Sequence, residues 1–153
     1  MDLHKVIQSQ YLASLAMLKQ VIVKCPEALW DAPGGSQDTF WRKSYHALLY
    51  AHLYLQRAEK DFVAWDKHHD PDGEIPFTKD EVLEYLSFVE KQVADCIPAT
   101  NFDAESGFHW LPFDKLELQL YNIRHIQQHT GELYERLGTY ENIELGWVSS
   151  GKS

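Results

Sequence analysis

The sequence contains little cysteine, little positive charge and no long hydrophobic run. Its two cysteines, Cys25 and Cys96, form no C-x-x-C pair and no set of bridges, which favours two ordinary buried thiols in a reducing compartment. Fourteen basic and 23 acidic residues give a formal net charge of −9, which disfavours the phosphate contacts of a nucleic-acid-binding protein. No stretch approaches the ~18 apolar residues of a membrane span, and the amino terminus lacks the apolar core of a secretory signal. We therefore expect a cytoplasmic protein that binds neither nucleic acid nor membrane.

Sequence motifs of several enzyme classes are also missing. The chain has no H-E-x-x-H of a zincin protease and no E-x-x-H, which a ferritin-like di-iron bundle would use twice. It has neither a glycine-rich phosphate loop nor the G-x-S-x-G of a nucleophile elbow. Any catalytic chemistry must therefore come from another arrangement of side chains.

Helical periodicity recurs in four segments of the chain. Apolar residues follow three- and four-residue steps over about 3–24, 39–60, 78–97 and 113–137. Thr78 and Glu81 form a capping-box pattern, and Pro112 and Gly138 flank the last segment as expected for a helix start and end. No segment alternates apolar and polar residues with a period of two. The predicted fold is an all-α antiparallel four-helix bundle that forms one domain over residues 1–153.

The connections between the predicted helices are long. They cover about 26–38, 61–77 and 97–111, which exceeds the roughly two to eight residues usual between bundle helices. They also contain aromatic residues that solvated linkers rarely carry in such numbers, among them Trp30, Trp65, Phe77, Phe102, Phe108 and Trp110. We expect ordered loops that pack over the ends of the bundle and, together with helix one, wall a pocket.

The fourth helical segment contains the sequence NIRHIQQHTGEL, with His125 and His129 four residues apart. Two such residues lie one turn apart on a helix face, with Cβ atoms roughly 5–6 Å apart, so both imidazoles can reach one metal ion. His46, in the segment FWRKSYHALLYAHLYL, is the candidate third ligand because the residues that share its face of the predicted helix are apolar. On both segments these helix faces predict imidazoles that point inward. The face of the fourth segment consists of Leu118, Asn122, His125, His129 and Leu133. Buried histidines bonded to carbonyls or hydroxyls are the alternative.

The remaining histidines give weaker signals. His52 follows His46 by six residues, which is about 240° around a helix, so it should face elsewhere. His4, His68 and His69 lie in polar surroundings, and we expect all three to be solvated.

The two histidine-bearing segments resemble the DinB-like (DinB/YfiT) superfamily, whose members are described as metal-dependent hydrolases. The resemblance extends over essentially the whole chain in length and helix order. Its specific part is the histidine of the second helical segment together with the H-x-x-x-H-x-G motif of the fourth helical segment. It implies a four-helix bundle that binds a divalent metal through His46, His125 and His129. Members often carry an acidic residue a few positions after the helix-two histidine, where this chain has His52.

Three neutral imidazoles would leave an open position on a divalent ion. Water bound there on zinc has a pKa of about 7 and can hydrolyse a substrate, whereas a bound thiolate is activated for transfer to an electrophile. The resemblance likewise implies either a hydrolase or a low-molecular-weight-thiol S-transferase with a small-molecule substrate. Zinc and nickel suit this donor set best, and iron and manganese are compatible with it.

Glu132 is the candidate catalytic residue, because it lies three residues after His129 on the same side of the predicted helix. It could act as a general base or orient a ligand, and an exposed surface glutamate is the alternative. Tyr50 and Tyr121, each four residues from a proposed ligand, are candidates for the lining of a pocket. A non-catalytic protein that binds metal or a metabolite in a stress response, and a metal-free bundle, stay open as alternatives. Related bundles often pair helix to helix, so a homodimer is one expected assembly.

Overall fold

The computed structural model describes residues 1–34 and 38–151 and confirms the all-α fold. The helices are α1 (Leu3–Lys24), the short α2 (Glu27–Trp30), α3 (Phe40–Tyr54), α4 (Lys79–Cys96) and α5 (Lys115–Glu141), with 3-10 turns at Glu59–Asp61 and Ile97–Ala99. No β-strand occurs in the described residues, where Glu105 and Asp114 form an isolated bridge. Residues 35–37 of the first predicted connection and 152–153 of the predicted domain lie outside the described part.

The four long helices form a bundle in which each packs against two others, in the order α1, α5, α3 and α4. Helices α1 and α4 are antiparallel, since Lys79 at the start of α4 donates to the carbonyl of Cys25 just after α1. Helices α3 and α5 are also antiparallel, because Lys43 near the start of α3 bonds Glu132 late in α5. Helices α3 and α4 run parallel. The chain must therefore return along the bundle between α3 and α4, which explains the length of that connection.

Aromatic residues of the connections pack against the bundle, as predicted. Phe77 is fully buried and stacks on Tyr45 of α3, with ring centroids 4.1 Å apart. Trp30, Trp65 and Phe108 are also buried, whereas Trp110 is 41% exposed. These anchors make the long connections part of the ordered structure.

Helix α3 is shorter than predicted. It ends at Tyr54 instead of continuing to residue 60, because tertiary contacts hold the next residues in another conformation. Lys115 Nζ donates to the carbonyl of Gln56, and the N–H of Glu59 donates to the carbonyl of Gly107. The apolar pattern of the segment does not contain these distant partners.

Helix α5 is longer than predicted at its carboxyl end. Gly138 lies inside it, and the helix ends at Glu141, where the capping residue Asn142 has a left-handed backbone with φ of 55°. The tail then returns along α1, where the N–H of Gly151 donates to the carbonyl of Ser9. None of the helices in the described part of the chain combines the length and hydropathy needed to cross a membrane.

Candidate metal centre

The structure brings His46, His125 and His129 together between α3 and α5. One ring nitrogen from each lies within 4.8 Å of the others. The Nε2 atoms of His125 and His129 are 3.0 Å apart, and the His46 ring centroid lies 4.8 Å from that of His129. The three histidines predicted as ligands therefore form one cluster.

The spacing of these nitrogens fits a transition-metal ion. Two nitrogen ligands of one tetrahedral zinc ion lie roughly 3.3 Å apart, because each bond is about 2.0–2.1 Å long. The 3.0 Å between Nε2 of His125 and Nε2 of His129 is close to this value, and two nitrogens so close repel unless a hydrogen or an ion lies between them. His46 is exposed, and its ligand nitrogen lies within 4.8 Å of those of the other two histidines. The geometry and the donor set are thus compatible with metal binding.

The prediction that these imidazoles face the apolar core is wrong. His46 is exposed, and His125 and His129 are half-buried. Each helix packs against two neighbours, so its core face points between them. The histidines lie at the edge between α3 and α5, each next in sequence to a residue of that core face. The residues buried on α5 include Leu118, Asn122, Ile126, Thr130, Leu133 and Leu137, and those on α3 include Tyr45, Leu48, Ala51 and His52. The cluster therefore opens towards solvent.

The surroundings of the cluster favour neutral imidazoles. Burial lowers the pKa of His125 to about 4, and repulsion from His129 and His46 acts in the same direction. His46 is exposed as a residue, but partial desolvation of its ring by the side chains around it, followed by the neighbouring His129, also lowers the pKa of His46. A neutral imidazole presents a lone pair, which is the form that binds metal.

Glu132 lies beside the cluster, as predicted, but behind one of its rings. Its Oε2 is 3.2 Å from Nδ1 of His129 and also accepts a hydrogen bond from Lys43 of α3. Burial raises the pKa of Glu132, but the hydrogen bonds from Lys43 and His129 outweigh it and lower the pKa to about 2. A carboxylate in this position orients a ligating imidazole. Sequence reasoning missed Lys43, because its role depends on the pairing of α3 with α5.

Tyr50 lines the cluster, and Tyr121 lies further from it. The Tyr50 ring centroid is 4.7 Å from that of His46 and 5.5 Å from that of His125. Tyr50 and Tyr121 both pack on Tyr54. They belong to a hydrophobic cluster that joins α3 and α5 to the third connection, which we call the aromatic cluster because five of its members have rings. It comprises Tyr50, Leu53, Tyr54, Phe108, Leu111, Phe113, Leu118 and Tyr121.

The other histidines lie elsewhere in the bundle. His52 is buried towards α4, and its Nδ1 lies 3.0 Å from the hydroxyl of Tyr85, which confirms that it faces away from the cluster. His68 is exposed, as predicted. The expectation for His4 and His69 is wrong, because both are half-buried and stack on phenylalanine rings. Related proteins often carry an acidic residue a few positions after the histidine that matches His46, and this chain has His52 there. The acidic partner of the cluster is therefore Glu132.

A comparison with protein-family models found a match that covers most of this chain. The model of the DinB superfamily matches residues 10–133. Comparisons with curated proteins and with solved structures gave no significant match. The matched range spans most of the chain, from the first turns of α1 to four residues beyond His129, and contains the complete histidine cluster. On this basis the chain belongs to the DinB superfamily.

Proposed function

We propose that this protein binds one divalent transition-metal ion through His46, His125 and His129 and uses it to act on a small molecule. The observation that carries the proposal is the convergence of three imidazole nitrogens within 4.8 Å at a solvent-facing edge. A structural zinc site is normally closed by four protein ligands. The group formed by the described residues has only three, which leaves a position for substrate. Zinc and nickel suit the donors best, followed by iron and manganese.

The bound ion would supply a Lewis acid that lowers the pKa of water or of a thiol at the open position. The chain's own residues hold the imidazoles in place for this. Glu132 and Lys43 fix the orientation of His129, and Tyr50 covers the side of the cluster formed by His46 and His125. The position of Glu132 behind His129 favours a positioning role, and its predicted role as a general base stays a prediction.

Two reactions fit this arrangement. In hydrolysis, the oxygen of water bonds to an ester or amide carbon, and the alcohol or amine leaves with a proton. In thiol S-transfer, the thiol releases its proton and the sulfur bonds to an electrophilic carbon, while the bond from that carbon to its leaving group breaks and the leaving group departs with the electron pair and takes up the proton. Either makes the protein a metal-dependent hydrolase or a low-molecular-weight-thiol S-transferase.

The substrate is proposed to be a small molecule with an apolar part. The net charge of −9 opposes a polyanionic partner. Half-buried Tyr50 connects the histidines to the aromatic cluster, whose residues Phe113 and Tyr121 are also half-buried. An apolar group could lie on these rings while the reacting group reaches the ion. A cytoplasmic location and a homodimer belong to the same proposal.

Turnover by metal-loaded protein tests this function. We expect reaction with some ester, amide or thiol-plus-electrophile pair, loss of that reaction after chelation, and loss in His46→Ala with an unchanged helical circular dichroism spectrum. His109→Ala is the control, since the His109 side chain is 82% exposed and is not one of the three clustered histidines. Turnover that persists after chelation would contradict the proposal. Full metal occupancy without turnover over the whole panel would replace it with the metal- or metabolite-binding alternative.

A further inference from the structure

Two buried polar atoms on α5 stand out because they have no hydrogen-bond partner. They are Oδ1 of Asn122 and Nδ1 of His125, and among the described residues they are the only buried side-chain nitrogen or oxygen atoms in this state. Residues three apart are neighbours on a helix surface. An unsatisfied buried donor or acceptor costs about 1–3 kcal/mol, so native proteins retain few of them. Two on adjacent turns, one of them on a proposed metal ligand, call for a common explanation.

The chemistry of the two atoms is complementary. Nδ2 of Asn122 donates to the carbonyl of Ala51 on α3 at 3.1 Å, and a carbonyl only accepts, so the remaining amide atom is the oxygen acceptor. Nε2 of His125 faces Nε2 of His129 at 3.0 Å. When Nε2 of a neutral imidazole binds metal, its hydrogen is on Nδ1. His125 then carries a buried donor one turn along α5 from the buried acceptor of Asn122.

The polar groups near Asn122 already have other partners. The hydroxyl of Tyr11 donates to Oε1 of Gln119 at 2.7 Å, and Nε2 of Gln119 donates to the carbonyl of Lys115 at 2.9 Å. The Tyr11 hydrogen is therefore used by Gln119, and the hydrogen bond between the Tyr11 hydroxyl and the Asn122 side chain leaves Oδ1 of Asn122 without a donor. The N–H of His125 is the donor that remains on the adjacent turn.

We propose that Asn122 is a positioning residue for His125. Its Oδ1 accepts from Nδ1–H of His125, through one buried water or after a small rotation of the ring, and keeps the Nε2 lone pair directed at the cluster. This inference rests on the proposed metal site. It gives both α5 ligands an oxygen acceptor on the same helix, since Asn122 precedes His125 by three residues and Glu132 follows His129 by three. The bond to Ala51 also ties this acceptor to α3, the helix that contributes His46.

Zinc affinity of matched variants tests the proposal. Asn122→Leu removes the acceptor, and we expect its zinc affinity to fall by about 10–100-fold, as for other outer partners of metal ligands. Gln119→Leu removes another buried carboxamide from α5 and should bind zinc like the wild type. Asn122→Asp keeps an acceptor oxygen but loses the N–H that donates to the carbonyl of Ala51, so it should recover only part of the lost affinity. Equal zinc affinity in Asn122→Leu and the wild type, or an equal loss in Gln119→Leu, would overturn the proposal.

Nitrogen-15 NMR of His125 provides a readout that a general packing defect would not reproduce. In the zinc-loaded wild type we expect a Nδ1–H signal that exchanges slowly with water, and in Asn122→Leu a fast-exchanging or missing signal. Fast exchange in the wild type would contradict the proposal even if Asn122→Leu does not fold. Failure of the wild type to bind zinc would refute the metal site itself, whereas normal zinc binding with a rapidly exchanging Nδ1–H would refute only the role of Asn122.

Discussion

Oε2 of Glu132 lies 3.2 Å from Nδ1 of His129, on the opposite side of the ring from the Nε2 atom that faces His125. The same oxygen accepts a hydrogen bond from Lys43. One ionised carboxylate therefore joins a proposed metal ligand on α5 to a lysine on α3. Such a carboxylate fixes the ring orientation and raises the basicity of the ligating nitrogen.

Glu132→Gln should weaken metal binding without unfolding the protein. The substitution keeps the shape of the side chain but removes the charge that attracts Lys43 and the His129 N–H. We expect zinc affinity, measured by competition with a chromogenic chelator, to fall by about tenfold or more. Glu135→Gln, on an exposed glutamate six residues beyond His129, is the control. An unchanged affinity in Glu132→Gln would show that the carboxylate does not support the site.

The sequence predicted those features that depend on local patterns. The bounds of α1 and the capping box of Thr78 with Glu81 were predicted correctly, because capping and periodicity act within a few residues. The convergence of His125 and His129 follows from helix geometry alone. Their meeting with His46 followed from the predicted pairing of the second and fourth helices, and the family resemblance implied it.

The remaining features depend on how the helices pack against one another. The sequence stripes placed the histidines in the core, but the core face of α5 is set by simultaneous contacts with α1 and α3. The end of α3 depends on Lys115, which is 59 residues from its partner Gln56. The contact of Lys43 with Glu132 spans 89 residues. No local pattern in the sequence contains these pairings.

Phe77→Ala should strongly destabilise the protein, because Phe77 anchors the long connection between α3 and α4. Its ring is fully buried and stacks on Tyr45. Loss of a buried phenylalanine side chain costs about 3–5 kcal/mol, which urea unfolding would measure. Ile75→Ala lies in the same connection at 72% exposure and should change the free energy of unfolding by less than about 0.5 kcal/mol. Similar effects of the two substitutions would mean that the connection is not anchored as described.

The stability of the metal-free protein should fall as the pH decreases from about 6.5 to about 4. Burial lowers the pKa of His52 from 6.5 to about 4, so in this window the unfolded chain takes up a proton that the folded protein excludes. The stabilisation is complete above pH 6.5 and is lost as the pH falls to about 4. His125 acts in the same direction.

His52→Leu should therefore reduce this pH dependence by roughly 2 kcal/mol across the window. Urea unfolding at a series of pH values would measure it, with His109→Leu as the comparison because the His109 side chain is 82% exposed. The same slope in His52→Leu as in the wild type would mean that His52 is not held neutral by its burial.

Metal content of the purified protein, measured after zinc reconstitution and dialysis, tests whether the three histidines form a metal site. We expect one divalent ion per chain in the wild type and in a His68→Ala/His69→Ala variant, because His68 and His69 lie outside the cluster. We expect no stoichiometric metal in His125→Ala/His129→Ala, because His46 cannot hold the ion alone. Full occupancy in His125→Ala/His129→Ala would refute the metal site.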